Sequence, residues 1–305
     1  FNNIIYYLNM GCICSIPKKG NESDKIRIGY NNWFLSNELG YGQFGWVRYA
    51  RCFKYRENKK QDGYYLDGAV KIFAKSSRNS KYIADINDGL YPIEIACNEI
   101  NTISSLSHDN IVKYIGTLYS HSYIYMVMEY VDGMTLYNYI HQKHISEHDN
   151  INTLRDLTHT INYIHSKGLV YLDLKPENIM VPGNNIKRGI KLIDFGSVYN
   201  IYNPTDHIIC SKGYCDPESY YTGKITIKTD VWSLGVISFI MAHKYMPIDC
   251  KLYKLGRPPS SWPKIRYKFY NKTAIDLWSR LLTVHSINRY STIDILEHPW
   301  LNTLT

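Results

Sequence analysis

The sequence lacks the features that mark several large classes of protein. Its seven cysteines are odd in number and form no Cys-x-x-Cys pair, which argues against a disulfide framework or a zinc site and favours a reducing compartment. No apolar run approaches the roughly 20 residues needed to span a bilayer. The net charge is +8, but the basic residues are scattered and form no Lys- or Arg-rich helix, so we expect no nucleic-acid partner.

One stretch, Tyr-Leu-Asp-Leu-Lys-Pro-Glu-Asn at 171–178, gathers groups that suit phosphate chemistry. Asp173, Lys175 and Asn178 lie close together in it, and Pro176 stiffens the loop between the last two. A carboxylate can accept a hydroxyl proton, an ammonium can neutralise a phosphate, and an amide oxygen can ligate a hard cation. The trio favours phosphoryl transfer, although a solvated turn would also carry such residues.

A second motif contains three closely spaced glycines, Gly40, Gly42 and Gly45. It is predicted to form a strand, a turn and a second strand that runs to about Phe53. Glycines at this spacing let backbone N–H groups approach a phosphate without interference from a Cβ atom. A dinucleotide site or a plain hairpin would show the same pattern, but a dinucleotide fold needs a helix straight after the glycines, and a strand pattern follows here.

Lys71 lies within an apolar strand predicted at 69–73. The ordinary interpretation places this lysine on the solvent face of an alternating strand, whereas a buried ammonium would need a partner. A helix beginning at Pro92 offers Glu94 and Glu99 as partners. Its predicted apolar face comprises Ile93, Ala96, Ile100, Ile103 and Leu106.

Two strands are predicted next, at 111–118 and 123–131, and the second stops at Asp132-Gly133, a natural hinge. Helical spacing then dominates. One apolar face closes at Lys167-Gly168 with a glycine C-cap, and one segment is apolar nearly all round and must be buried. The segments predicted as helical are 154–167, 231–241, 273–282 and 292–298.

A short strand at 190–193 is predicted to deliver Asp194, which precedes Phe195-Gly196. An acid at a strand end beside a glycine is a common metal-ligand arrangement, and it is equally common in an ordinary turn. Two segments have no apolar period. Residues 55–67 are predicted as a long hairpin connection, and 197–215 as a long exposed loop.

Taken in order, these motifs resemble the signature set of the protein kinases, and the resemblance covers about residues 33–301. Each motif is weak alone, but their order and structural context are specific. The resemblance implies an α+β fold of two lobes: a small antiparallel β-sheet lobe with one helix at 33–131, and a larger, mainly helical lobe at 132–301. Residues 1–32 are predicted to form a flexible arm.

The resemblance also implies a role for each motif residue. Lys71 would contact the α- and β-phosphates and pair with an acid of the following helix. Glu99 is favoured over Glu94 as this acid, because the residues after Glu99 match the family's helix-to-strand pattern. Asp173 would accept the substrate proton, and Lys175 would steady the γ-phosphate. The residues implied in binding ATP are Gly40, Gly42, Gly45, Val47, Ala69, Met128 as gatekeeper, Glu129, Val131 and Met180. Asn178 and Asp194 would hold magnesium, with manganese as the alternative ion.

The lysine two residues after Asp173 resembles the serine/threonine kinases, so the expected partners are proteins with Ser or Thr acceptors. Segment 211–218 resembles the one that closes the activation loop, with Ser211 for the usual threonine and Asp216 for the usual alanine. Glu218 and Arg289 resemble a buried ion pair of the family. Asp230 resembles the helix-cap acid that holds the backbone of the catalytic loop. A column of packed apolar side chains is also implied, formed by Ile103, Tyr114, Tyr171 and Phe195.

One departure removes a cation. The family usually has His-Arg before the catalytic aspartate, and this chain has Tyr171-Leu172. Leucine has no cation that could bind a phosphate, so we expect that activation needs no phosphate in the loop after Asp194. The family's three acidic positions for basic substrates hold Thr135, Glu177 and Ile240 here, which argues against a strong basic preference.

Two other functions are compatible with the fold. A pseudokinase scaffold would bind nucleotide or partners without transfer. Such proteins typically lose the lysine, the catalytic acid or the metal-binding acid. This chain retains Lys71, Asp173, Asn178 and Asp194. An enzyme acting on small molecules would not need the segment 211–218, which builds a platform for peptides. We expect a monomeric, cytoplasmic signalling kinase.

The amino end carries a pattern for lipid attachment. If translation starts at Met10, the residues that follow fit Met-Gly-x-x-x-Ser, the acceptor pattern for myristate on Gly11. One myristoyl chain holds a protein only marginally, so a second signal is needed, and Cys12 and Cys14 could take palmitate. This hypothesis predicts peripheral contact with the cytoplasmic face of a membrane.

Overall fold

A computed structural model describes residues 24–28, 31–42, 45–56, 59–75, 92–204, 210–250 and 270–303. The chain divides between Asp132 and Gly133 into two compact units, here named the N-terminal unit and the C-terminal unit. The predicted lipid-attachment signal at 10–15 lies outside the described residues. Among the helices of the described ranges, none is both long and apolar enough to cross a membrane.

The N-terminal unit is built on one antiparallel sheet. Its strands are β1 Asp24–Ile28, β2 Asn31–Gly42, β3 Gly45–Arg56, β4 Lys59–Ala74, β5 Tyr114–Tyr119 and β6 Tyr123–Glu129. They lie side by side in the order β1-β2-β3-β4-β6-β5, so sequence neighbours are mostly spatial neighbours. The glycine motif is the connection between β2 and β3, where Gly42 pairs with Gly45. Both predicted strands are therefore present, and residues 43–44 between them lie outside the described part.

The alternation of β4 gives the sheet two different faces. Val70 and Ile72 belong to a buried core cluster together with Trp33. Ala69 and Lys71 lie on the opposite face, because successive side chains of a strand alternate between faces. Helix α1 Pro92–Ser105 packs against β4 on this second face, where Glu99 reaches Lys71.

Helix α1 begins at Pro92, as predicted, but its apolar face differs by one position. Ile93 is 38% exposed, whereas Ile95 is buried along with Ala96, Ile100 and Ile103. Residues 95, 96, 99, 100 and 103 form a continuous helical stripe, and Ile93 lies at its edge in the first turn of the helix. Glu99 therefore lies within the buried stripe.

Two predictions about the N-terminal unit were wrong. Residues 1–32 were expected to be a flexible arm, of which 1–23 lie outside the described part, but 24–28 form β1 and pair with β2, with Ile26 buried between exposed Lys25 and Arg27. This alternation is only four residues long, too short to stand out. Residues 55–67 were expected to be a loop, but β3 and β4 continue through them as a ladder to the pair Arg56↔Lys59. The hairpin's outer part exposes Tyr64 and Tyr65, so it needs no apolar period.

The C-terminal unit is mainly helical. Its helices are α2 Leu136–Gln142, α3 Glu147–Ser166, α4 Pro217–Thr222, α5 Lys228–His243, α6 Lys272–Leu281, α7 Thr292–Glu297 and α8 Pro299–Asn302. Its short strands are β7 Gly133–Thr135, β8 Leu169–Val170, β9 Ile179–Pro182, β10 Lys191–Leu192 and β11 Tyr199–Asn200. They form a sheet of order β10-β9-β7 and a pair β11-β8. The predicted α+β fold class is confirmed.

Helix α5 forms the centre of the C-terminal unit, and every residue from 229 to 241 is buried, as its all-round apolar pattern predicted. Its polar groups are satisfied internally. Ser238 donates to Asn150 Oδ1 on α3 and accepts a hydrogen bond from Trp278 Nε1 on α6, each at 3.0 Å. Helix α3 ends as predicted, with Gly168 in the left-handed region at a φ of 72°.

The prediction of a long exposed loop at 197–215 was wrong in two places. Residues Tyr199 and Asn200 form β11, which pairs with β8. Cys210, Ser211 and Cys215 are buried. Both features depend on contacts with parts of the chain that are distant in sequence, so an apolar period within the segment was not required. Residues 205–209 lie outside the described part.

Candidate active site

In the N-terminal unit, Lys71 forms the buried pair that the sequence analysis offered as one of two alternatives. Its Nζ lies 2.6 Å from Glu99 Oε1, and the two side chains are 5% and 1% exposed. Because an isolated buried charge is costly, each of these residues accounts for the presence of the other. The interpretation of Lys71 as a solvent-facing lysine is wrong, and Glu94, on the exposed side of α1, is not its partner.

Other predicted nucleotide-binding residues share a face of the sheet with Lys71. Strand register places Val47 opposite Lys71, and Met128 opposite Ala69. Residues that face each other across neighbouring strands point to the same side of a sheet. The pairing of β3, β4 and β6 thus gathers these four side chains into one patch.

Gly45 has a structural role in addition to the one predicted. A Cβ atom at this position would lie 2.2 Å from the carbonyl oxygen of Ile72, so only glycine allows the two backbones to approach this closely. Gly40 pairs with Val47, two ladder steps from the pair of Gly42 and Gly45. Glu129 and Val131 follow Met128 at the end of β6, and the Glu129 amide donates to the Lys113 carbonyl at 2.8 Å.

In the C-terminal unit, Asp173 is the centre of a hydrogen-bonded cluster. Lys175 Nζ donates to its Oδ2 at 2.7 Å, and Asn178 Nδ2 donates to the same oxygen at 3.0 Å. The Ser211 hydroxyl donates to Asp173 Oδ1 at 2.5 Å and accepts from Lys175 Nζ at 2.9 Å. Serine therefore makes both bonds expected of the usual threonine. The cluster holds a carboxylate in one orientation beside a cation.

Asp230, at the start of α5, fixes the backbone of this loop. Its Oδ2 accepts from the Tyr171 amide at 2.8 Å, and its Oδ1 from the Leu172 amide at 2.9 Å. Leu172 adopts a φ of 65°, which is unusual for a residue other than glycine, and the two bonds hold it there. The predicted role of Asp230 is present in the structure.

His165 was missed by the sequence analysis. Its Nε2 lies 2.8 Å from Asp230 Oδ2, and its side chain is only 7% exposed. It occupies the last turn of α3 and thus reaches the acid that holds the Tyr171 and Leu172 amides. A single histidine near a helix end gives no signal of such a contact, because its partner is 65 positions away in the sequence.

Tyr171 packs against Phe195 of the Asp-Phe-Gly motif. Their ring centroids are 5.3 Å apart at an interplanar angle of 88°, an edge-to-face contact. Tyr171 is 1% exposed, and burial raises the pKa of its hydroxyl well above the ordinary value. This part of the predicted column is present, while the part that involves Ile103 and Tyr114 stays a prediction.

The residues at the predicted magnesium site have suitable chemistry. Asn178 uses its amide nitrogen to bond Asp173, so its acceptor oxygen is the group it can offer a cation. Asp194, two residues after β10, adds a carboxylate and accepts from the Gly196 amide at 3.1 Å. In the described ranges there is no group of three His, Cys, Asp or Glu that could hold a metal. Magnesium usually binds one or two protein ligands together with phosphates, so this donor set fits it.

One predicted contact was wrong. Arg289 was expected to pair with Glu218, but its Nη2 lies 3.2 Å from Asp216 Oδ1, and both side chains are fully buried. Glu218 instead accepts from the Ser286 amide at 2.7 Å. Asp216 is closer to the guanidinium because it precedes α4, whereas Glu218 lies in the first turn of that helix. Asp216, the acid that replaces the usual alanine, therefore pairs with Arg289 in place of Glu218.

These arrangements define a class of protein: an α+β fold whose motif residues are of the kind found in phosphoryl-transfer enzymes. The family model described as "Protein kinase domain" matches residues 33–301. The chain belongs to this family, the protein kinases, as the order of its motifs indicated. The fold class and the family predicted from the sequence are thus confirmed.

Relatives of this chain include several named kinases. Fatty acyl-CoA synthetase and RNA processing-associated kinase 1 of Saccharomyces cerevisiae is 29% identical, over 93% of this chain and 33% of its own length. CBL-interacting protein kinase 1 of Oryza sativa subsp. japonica is 32% identical, over 87% of this chain and 55% of its own. Serine/threonine-protein kinase DCLK3 of Homo sapiens is 31% identical, over 87% and 39%. The chain thus spans about a third to just over half of the length of these relatives.

Proposed function

We propose that this chain transfers the γ-phosphate of magnesium-bound ATP to serine and threonine hydroxyls of protein substrates. The observation that carries the proposal is the cluster around Asp173, in which Lys175, Asn178 and Ser211 hold the carboxylate by hydrogen bonds of 2.5 to 3.0 Å. A carboxylate held in this way can take the proton from an attacking hydroxyl. The names of the relatives support serine and threonine as acceptors.

Each residue of the site has a part in this reaction. Lys71, held by Glu99, would bind the α- and β-phosphates, and Lys175 would neutralise charge on the transferred group. The patch of Val47, Ala69 and Met128 would receive the adenine ring, together with Met180. Glu129 would contribute its carbonyl oxygen, because its amide already bonds Lys113, and Val131 its backbone groups.

Asn178 and Asp194 would hold the magnesium ion. When bound, the metal neutralises the negative charge of the phosphates. The protein's contribution is to keep both ligands in place. Asn178 is fixed by two bonds to Asp173, and Asp194 by its bond to the Gly196 amide.

The alternative function is that of a pseudokinase scaffold, which would bind nucleotide without transfer. Incubation of the purified protein with ATP radiolabelled at the γ-phosphate, magnesium and a generic protein substrate separates the two. We expect label on serine or threonine after acid hydrolysis of the substrate. Nucleotide binding without any labelled amino acid would support the scaffold and contradict the proposal.

A further inference from the structure

The buried arginine of the C-terminal unit has an unexpected acidic partner. The Arg289 guanidinium donates to the carbonyl oxygens of Lys228 at 2.7 Å, and of Thr283 and Val284 at 3.0 Å. Its bond to Asp216 at 3.2 Å is its contact with a negative charge. Burial lowers the pKa of Arg289, and the charge of Asp216 opposes that shift. Asp216 therefore supplies the counter-charge that offsets the cost of burying this guanidinium.

Glu218 has a different task. Its carboxylate is partly exposed and bonds the Ser286 amide, and this bond is the main reason why the pKa of Glu218 is lowered. The attraction of Arg289 also lowers this pKa, but by less. Glu218 is thus satisfied by a backbone donor, and loss of its charge would leave Arg289 with its bonded acid.

The pair of Asp216 and Arg289 lies at one end of a segment whose other end reaches the catalytic carboxylate. Arg289 lies over the Trp232 ring at 5.3 Å, and Trp232 Nε1 donates to the Gly213 carbonyl at 3.3 Å. Asp216 also caps α4 by accepting from the Ser219 amide at 3.2 Å. Segment 211–216 is thus held against α5 from Asp216 back towards Ser211.

We propose that Asp216 is a positioning residue for phosphoryl transfer. Its charge holds Arg289, and this pair fixes segment 211–216 so that the Ser211 hydroxyl stays on Asp173 and Lys175. Glu218 does not carry this charge. The inference rests on the proposed function, because positioning is measured through transfer to a protein substrate.

The test compares isosteric variants that remove one charge each. Asp216→Asn keeps an N-cap acceptor for α4, because asparagine caps helices as well as aspartate, but leaves Arg289 buried without its counter-charge. Glu218→Gln is the matched control, since its amide oxygen can still accept from Ser286. The double variant Asp216→Asn with Arg289→Gln removes both buried charges, so it is expected to fold even if Asp216→Asn alone does not.

We expect Asp216→Asn to lower kcat/KM for the protein substrate by about tenfold or more, with KM for ATP changed less than about twofold, because removal of one member of a buried pair is strongly unfavourable. We expect Glu218→Gln to stay within about threefold of wild type. With Arg289→Gln measured alone, the double variant should be more active than the product of the two single effects predicts, and its melting temperature should be higher than their sum predicts.

Two results would overturn the inference. One is a larger loss in Glu218→Gln than in Asp216→Asn. The other is a double variant no better than its two single changes combined. If the wild-type protein transfers no phosphate, the proposed function is refuted, and the positioning role with it. The melting temperatures of the same variants would still show which acid pairs with Arg289.

Discussion

Lys71 Nζ and Glu99 Oε1 lie 2.6 Å apart in the interior of the N-terminal unit, although 28 positions separate the two residues in the sequence. Strand β4 places Lys71 on the face against which α1 packs, and the buried stripe of that helix carries Glu99 to it. The contact fixes the position of an ammonium that the family uses to bind phosphate. A substitution that breaks this contact therefore tests whether α1 matters for catalysis.

Glu99→Gln should lower both stability and transfer, because it leaves Lys71 buried without its counter-charge, at a cost of about 3–5 kcal/mol. We expect a lower melting temperature and a loss in kcat/KM of about tenfold or more. The matched control is Glu94→Gln, an exposed acid of the same helix, which should change the free energy of unfolding by no more than about 0.5 kcal/mol. Equal effects of the two changes would contradict this prediction.

Ser211→Ala should reduce transfer, whereas Ser211→Thr should preserve it. The serine hydroxyl donates to Asp173 and accepts from Lys175, and hydrogen bonds to charged groups contribute about 1.5–3 kcal/mol each. We expect kcat for the alanine variant to fall between about tenfold and a hundredfold. Threonine retains the hydroxyl. Steady-state kinetics with a protein substrate checks the pair, and a threonine variant as weak as the alanine variant would show that the hydroxyl is not the important group.

Transfer should not depend on a phosphate in the loop after Asp194. Leu172 occupies the position of the usual arginine, is 1% exposed and offers no cation to a phosphate. Treatment of the purified enzyme with a phosphatase should therefore change its activity by less than about tenfold. A larger loss, restored by rephosphorylation of a loop residue such as Tyr202, would mean that another cation binds the phosphate.

Glu177→Gln should stabilise the protein at neutral pH. Burial raises the pKa of Glu177, so the folded protein binds this proton more tightly than the unfolded chain does. The stability that Glu177 contributes is therefore present below its unfolded pKa and is lost as the pH rises through its folded pKa. The variant should melt at a higher temperature than wild type at pH 7, and the difference should disappear as the pH falls below the unfolded pKa of about 4.3. Glu297→Gln, at an exposed site, is the control, and a gain for Glu177→Gln that persists at pH 4 would contradict the assignment.

Local pattern was sufficient to predict the larger elements. The burial of α5 followed from its apolar residues on every side, and the end of α3 from the glycine after Lys167. The outer part of the hairpin formed by β3 and β4 could not be predicted, because its sequence carries no apolar period and its Tyr64 and Tyr65 are exposed. The strand β1 was missed because four residues are too few to establish an alternation.

The site was predictable where one loop supplies the residues and unpredictable where distant elements meet. Asp173, Lys175 and Asn178 are near neighbours in the chain, so their chemistry was visible in the sequence. The partner of Arg289 was not, because Asp216 and Glu218 are two residues apart, and only the geometry at the start of α4 decides between them. His165 shows the same limit, since its contact with Asp230 joins the ends of two different helices.

Asp173 and Asp194 are the two residues proposed to act directly in phosphoryl transfer. The most direct measurement is the rate at which the γ-phosphate moves from ATP to serine or threonine of a protein substrate in wild type, Asp173→Asn and Asp194→Asn. The exposed Asp109→Asn is the control. We predict a loss of about 10²-fold or more for Asp173→Asn, the usual contribution of a positioned proton acceptor, no detectable transfer for Asp194→Asn, and a wild-type rate for the control. A folded Asp194→Asn variant that retains the wild-type rate would contradict the account.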